Sequence, residues 1–163
     1  VKTWKKIASI RISADKKQEV TKWGKAVPEG LTTRFTPDNQ HLLVGGGICV
    51  RVNPHGYNYA CRPSQLLWRI DFQGSSSTKL FFSPKRAFCH SIDISPNGQQ
   101  VVTGNGPIDM RDIANGKLLW THDGGRGVAI SPDGKHVAVG RFDGLLILNA
   151  QTGEQIRLIN EKQ

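Results

Sequence analysis

The side chains able to carry acid–base, nucleophilic or metal chemistry are spread along this chain in a pattern that assembles none of them. His41, His55, His90, His122 and His136 share no metal-ligand spacing. His41 and His136 stand at the same offset after a turn proline, where Gln100 stands in a third copy, so they read as residues that open strands. Cys49, Cys61 and Cys89 are too few and too far apart for a disulfide framework or a zinc site, and the sequence does not decide their pairing. Ser75-Ser76-Ser77 lacks the strand-to-helix setting of a nucleophile elbow. Gly45-Gly46-Gly47 reads as a turn between strands rather than a phosphate loop opening a helix. Asp93, Asp109 and Asp112 could pair as general acid and base, but aspartates at recurring strand ends more often bond turn amides. No catalytic, cofactor or metal residues are therefore assigned, and the segment is expected to be non-catalytic.

The elements that must position any site are set by a repeated phrase. Ile94-Ser95-Pro96-Asn97-Gly98 returns as Ile130-Ser131-Pro132-Asp133-Gly134, with a looser copy at Phe35-Thr36-Pro37-Asp38-Asn39. Each copy lies between two apolar stretches and reads as a hairpin turn, with proline fixing φ and Asx-Gly accepting left-handed backbone values. From Arg126 to Ile159 the apolar runs 127–131, 136–140, 145–149 and 154–159 are separated by Asp133-Gly134, Asp143-Gly144 and Thr152-Gly153. The unit before it repeats this with runs 91–95, 100–104, 108–113 and 117–122. A period in the high thirties built of four short strands predicts an all-β chain of β-propeller blades, each of four antiparallel strands.

The chain resembles the WD-repeat family of propellers, whose third strand characteristically ends in Trp-Asp. The corresponding pairs here are Arg111-Asp112, Leu148-Asn149 and Val52-Asn53, which keep the polar member and lack the Trp. The resemblance covers residues 31 to 159 and implies a non-catalytic protein–protein interaction scaffold. Asn115-Gly116-Lys117-Leu118-Leu119-Trp120 also resembles the Gly-Lys-x-x-Trp element of quinoprotein blades, which carries the alternative of an enzymatic propeller. In that family the Trp docks one blade on the next and does not itself imply a cofactor, and none is expected here.

Blade boundaries follow from the repeats. Residues 1–30 read as the end of a preceding blade plus a basic linker, 31–72 as a blade with an insertion at 51–63, and 73–90 as an inter-blade insertion. Residues 91–122 and 123–159 form two further blades, and 160–163 a tail. Matching Trp68 to Trp120 puts the first insertion between third and fourth strands, so the two insertions should leave opposite faces. Loops of unusual length on a rigid scaffold are where binding tends to reside. They supply the candidate partner-binding residues His55, Tyr57, Tyr59, Arg62, Lys79, Phe81, Phe82, Lys85 and Arg86.

About three and a half blades are too few for a closed ring, which takes at least about four. The chain is expected to be an incomplete ring from a longer protein, or one completed by self-association. The net charge is +9, and residues 1–30 hold eight Lys or Arg against three acids. Such a cluster suits an acidic protein, an anionic surface or phosphate. It lacks the aromatic platform that stacks bases, which disfavours nucleic acid. No apolar run approaches the roughly 18 residues of a membrane span. The compartment is not written in these residues, and a cytoplasmic setting is the working expectation.

Overall fold

The structure, a computed structural model, describes residues 20–21, 24–51, 59–71, 77–83 and 89–160. They form thirteen strands and no helix. The first sheet holds β1 (Val20–Thr21), β2 (Gly24–Phe35), β3 (His41–Arg51), β4 (Tyr59–Asp71) and β5 (Ser77–Ser83). The second holds β6 (Ser91–Ile94), β7 (Gln100–Gly104), β8 (Gly106–Asp112) and β9 (Leu118–Gly125). The third holds β10 (Val128–Ile130), β11 (His136–Arg141), β12 (Gly144–Asn149) and β13 (Gln155–Ile159). Pairing is antiparallel and sequential throughout, so each sheet is a four-stranded meander, the first extended by the short β1. The half-blade expected near the N-terminus lies outside the described residues.

The repeated phrase makes the same turn three times. Ser95 N–H donates to the Gln100 carbonyl at 2.9 Å, and Thr36 to His41 and Ser131 to His136 do so at the same length. The hydroxyl of each also accepts from the amide five residues on, at 2.9–3.0 Å. The turns stack from blade to blade: a Cβ on Gly98 would lie 3.5 Å from Pro37, and one on Gly134 3.5 Å from Pro96.

Third strands also end alike. Asp112 accepts from the amides of Ala114 and Asn115 at 2.8 and 3.2 Å, and Asn149 accepts from Gln151 and Thr152 at the same lengths. These two residues face Gln100 and His136, and in the first blade His41 faces Asp71. The strand-ending pair there is therefore Ile70-Asp71, not Val52-Asn53, which lies outside the described residues. Fourth strands begin six residues after each Asx, at Ser77, Leu118 and Gln155.

This corrects the layout expected for the first blade. Trp68 lies on the third strand, opposite Val44, and is not the counterpart of Trp120 on a fourth strand. The extra residues lengthen the hairpin between second and third strands, and the segment expected to be an inter-blade insertion contains the fourth strand, β5, paired with β4. The first strand, β2, also begins before residue 30, within the expected linker. In an antiparallel meander the turn from second to third strand and the exit of the fourth strand share one end. The end of β3 at Arg51 and the end of β5 at Ser83 therefore lie at one end of the sheet, where opposite ends were expected. Gly45, Gly46 and Gly47 are buried within β3 and do not form a turn. A Cβ on Gly45 would come within 2.6 Å of the Cys89 sulfur, so the glycine lets the first two blades approach.

Two apolar layers join the sheets. Leu43, Leu67, Cys89, Ile92, Val101 and Ile113 lie between the first and second, and Val102, Ile108, Met110, Trp120, Val137, Val139, Leu146 and Leu148 between the second and third. The innermost strands are laced by side chains. Asp93 on β6 accepts from the Ile130 amide of β10 at 2.7 Å and meets Arg34 of β2 at 3.5 Å, while Ser91 accepts from the Val128 amide at 3.1 Å.

Candidate functional site

The face that carries second-to-third hairpins holds a cleft of about 770 Å³ between the second and third blades. Three local sequences build it: Asn105-Gly106 at the β7–β8 turn, Gly124 to Gly127 where β9 leads into β10, and Gly140 to Asp143 at the β11–β12 turn. A smaller hollow of about 580 Å³ adjoins it, sharing Asn105, Arg126 and Gly127 and reaching His90 and Ser91. Short turns force these backbone shapes: Gly106 and Gly124 have φ of 89° and 73°, and Asn105 sits at 136°, where an L side chain is strained.

Phe142 stands at the rim with 92% of its surface exposed, although large apolar side chains are mostly sheltered. Arg126 lies over its ring, 4.7 Å from the centroid. Arg141 grips Asp143 through two bonds of 2.8 and 3.0 Å, which hold the Asp143 carboxyl below its ordinary 3.8 and raise the Arg141 guanidinium. The rim thus offers an aromatic face, a guanidinium stacked upon it and a second one fixed by a carboxylate.

Two glycines explain why the cleft is open. Gly127 and Gly140 do not have positive φ. A Cβ on Gly127 would meet nothing within 4 Å, and one on Gly140 only atoms at 3.9 Å. The fold tolerates a side chain at either place, and the space a side chain would take is part of the cleft. Gly125 differs, since its Cβ would lie 2.1 Å from Val139.

Of the residues expected from sequence to bind a partner, five are among those described. His55, Tyr57, Lys85 and Arg86 lie outside the described residues. Tyr59 and Arg62 are on β4, opposite Arg51 and Ile48, in the lengthened hairpin. Lys79 and Phe82 are on β5, opposite Trp68 and Leu66. Phe81 is half-buried against the first apolar layer with the Arg111 guanidinium 3.5 Å from its ring centre, so it packs one blade on another. Phe81 is not among the residues that line the cleft. Among the described residues no group of three or more His, Cys, Asp or Glu could hold a metal ion, and no helix is long and apolar enough to cross a membrane.

Trp120 docks as its sequence element implies. Its indole N–H donates to the Ala150 carbonyl at 2.9 Å and its ring covers Gly153, where a Cβ would come within 2.7 Å. The equivalent glycine of the second blade, Gly116, is covered by the Leu80 carbonyl instead, 2.1 Å from where a Cβ would stand.

Comparison with solved structures places the chain among propellers. The Kuenenia stuttgartiensis hydrazine synthase superposes with a TM-score of 0.61 at 16% identity, over 93% of this chain and 40% of that one. The β-propeller domain of Cps50 (Swd1) from Myceliophteria thermophila superposes with a TM-score of 0.59 at 15% identity, over 82% of this chain and 40% of that one. At such identity the likeness is one of fold, and the chain spans 40% of the length of each. No protein-family profile matches the sequence, and no curated protein matches it. The chain is thus an all-β segment of β-propeller blades.

Proposed function

We propose that this segment is a non-catalytic, protein-binding scaffold, and that the cleft between the second and third blades takes an acidic, apolar-tipped segment of a partner protein. The observation that carries this reading is the rim: Phe142, exposed on the β11–β12 hairpin beside Arg126, above two glycines that the fold does not require. Aromatic and arginine side chains in a desolvating pocket are the groups that dominate interface energies. A net charge of +9 favours an acidic partner through steering. The lengthened first-blade hairpin leaves the same face, which enlarges the surface available to one partner.

The test selects binders from a displayed random-peptide library on the wild-type chain and measures them on Gly127→Val, Arg126→Glu and Phe142→Ala. Enrichment of acidic peptides with large apolar residues is expected, with losses of about tenfold or more in each variant, or about 1.4 kcal/mol. Equal binding by all three variants, or enrichment of basic peptides, would overturn the reading.

The docked Trp120 belongs to the joining of blades and gives no support to a quinone cofactor. Deleting Gly74 to Lys85 from the expected inter-blade insertion would remove β5 and so disrupt the first blade rather than test a loop.

A further inference from the structure

Each residue in an antiparallel pair has one residue directly opposite, and for Cys49 on β3 that residue on β4 is Cys61. Directly opposed residues share a face of the sheet, with Cα atoms about 4.5–5.5 Å apart. That lies inside the Cα span of protein disulfides, about 4.4–6.8 Å. The chain has three cysteines, and two of them occupy this one pair.

The register is fixed on both sides. Ile48 faces Arg62, Val50 faces Ala60 and Arg51 faces Tyr59, so the pair sits within an unbroken run beyond the irregularity between Gly46 and Ile48. On its other edge Cys49 is held by β2, opposite Val27. The remaining cysteine is separate: Cys89 is fully buried between the first two blades, with its S–H directed to the Ser91 carbonyl at 3.7 Å.

We propose that Cys49 and Cys61 form a reversible disulfide across the lengthened hairpin of the first blade, with a glutathione-type disulfide as the oxidant. One cysteine thiolate attacks a sulfur of glutathione disulfide, forming a protein–glutathione disulfide and releasing one glutathione thiolate. The opposed cysteine loses its proton and attacks the protein sulfur of that bond, forming the Cys49–Cys61 bond and releasing the second glutathione. The two cysteines lose two electrons and two protons, and two glutathione thiols result. The cross-link closes the hairpin close to its tip on the face that carries the cleft. It gives that hairpin two covalent states.

The experiment treats the full chain with glutathione disulfide, labels part of it with N-ethylmaleimide in native buffer, and labels the rest after denaturation without reductant. Peptide mapping follows before and after reduction. The expected result is a linked pair of peptides containing Cys49 and Cys61, one labelled thiol after denaturation, at Cys89, and no label at Cys89 in native buffer. Cys49→Ser is expected to stop at a glutathione adduct on Cys61, with Cys89 still protected. Three labelled thiols after oxidation, or a linkage that includes Cys89, would overturn the proposal. Labelling of Cys89 before denaturation would overturn it too, since the two cysteines are opposed only in this fold.

Discussion

Asp38 and Asp133 occupy the same turn position in the first and third blades, and Asn97 occupies it in the second. Thr36 and Ser131 hydroxyls, followed by the amides of Gln40 and Lys135, hold the two carboxyls below their ordinary 3.8. A carboxyl depressed by folding stabilises the fold above its unfolded value and loses that contribution as pH falls through the lower folded one. Asn97 accepts equivalent bonds, from Ser95 at 2.6 Å and Gln99 at 3.1 Å, without titrating. Asp38→Asn with Asp133→Asn is therefore expected to leave stability at neutral pH nearly unchanged and to flatten its decline below pH 3.8; urea unfolding across that range checks it. At Asn105 the backbone strain should be relieved by glycine, so Asn105→Gly is expected to stabilise by about 1 kcal/mol in thermal unfolding. The turn residues were legible in the sequence because everything that makes them, a hydroxyl, a proline and an Asx, lies within five positions. Phe142 and Arg126 were not, because their meeting depends on two separate turns. Gly124-Gly125-Arg126-Gly127 was the visible trace, a glycine density beyond what one connection needs.

Strand pairing shows where element-level reading fails. Tryptophans at 68 and 120 invite alignment, yet one lies on a third strand and the other on a fourth. The constant spacing from strand-ending Asx to fourth strand is the sounder ruler. It was obscured because β5 is an outer strand paired on one side, where polar residues cost little and Ser-Thr-Lys resembles a linker. Comparing equivalent strands also exposes a buried charge. Asp109 and Arg111 on β8 bond at 2.8 Å with 0% and 5% of their side chains exposed, and Arg111 also donates to the Gly116 carbonyl. On β12 the corresponding positions are Leu146 and Leu148. Asp109→Leu alone should destabilise by about 3–5 kcal/mol by leaving a buried guanidinium uncompensated, and adding Arg111→Leu should recover most of the loss. Denaturant melts of both variants decide it. Trp120→Ala, which empties the other junction, should cost about 3–5 kcal/mol.

For the whole molecule the exposed side of the third blade is the informative surface. Leu146 and Leu148 face the second blade, so Leu145 and Ile147 face away. The matching positions of the second blade, Ile108 and Met110, are fully buried under the third, whereas Leu145 is 41% exposed. An apolar sheet face of this kind favours association. The isolated chain is expected to run above its 18.0 kDa monomer mass in light scattering, and Leu145→Arg to shift it toward that mass. A wild-type chain that stays monomeric at high concentration would count against the expectation.

The seams between blades have a consequence for how such a chain can be rearranged. Each is made of two halves borne by different repeats: an indole meets one glycine turn, and the Leu80 backbone meets the other. Exchanging the second and third repeats would bring together halves that do not match. The second and third sheets are nearly alike, yet the order in which they follow one another is recorded in the joints, as teeth of different cut admit only one sequence of gears.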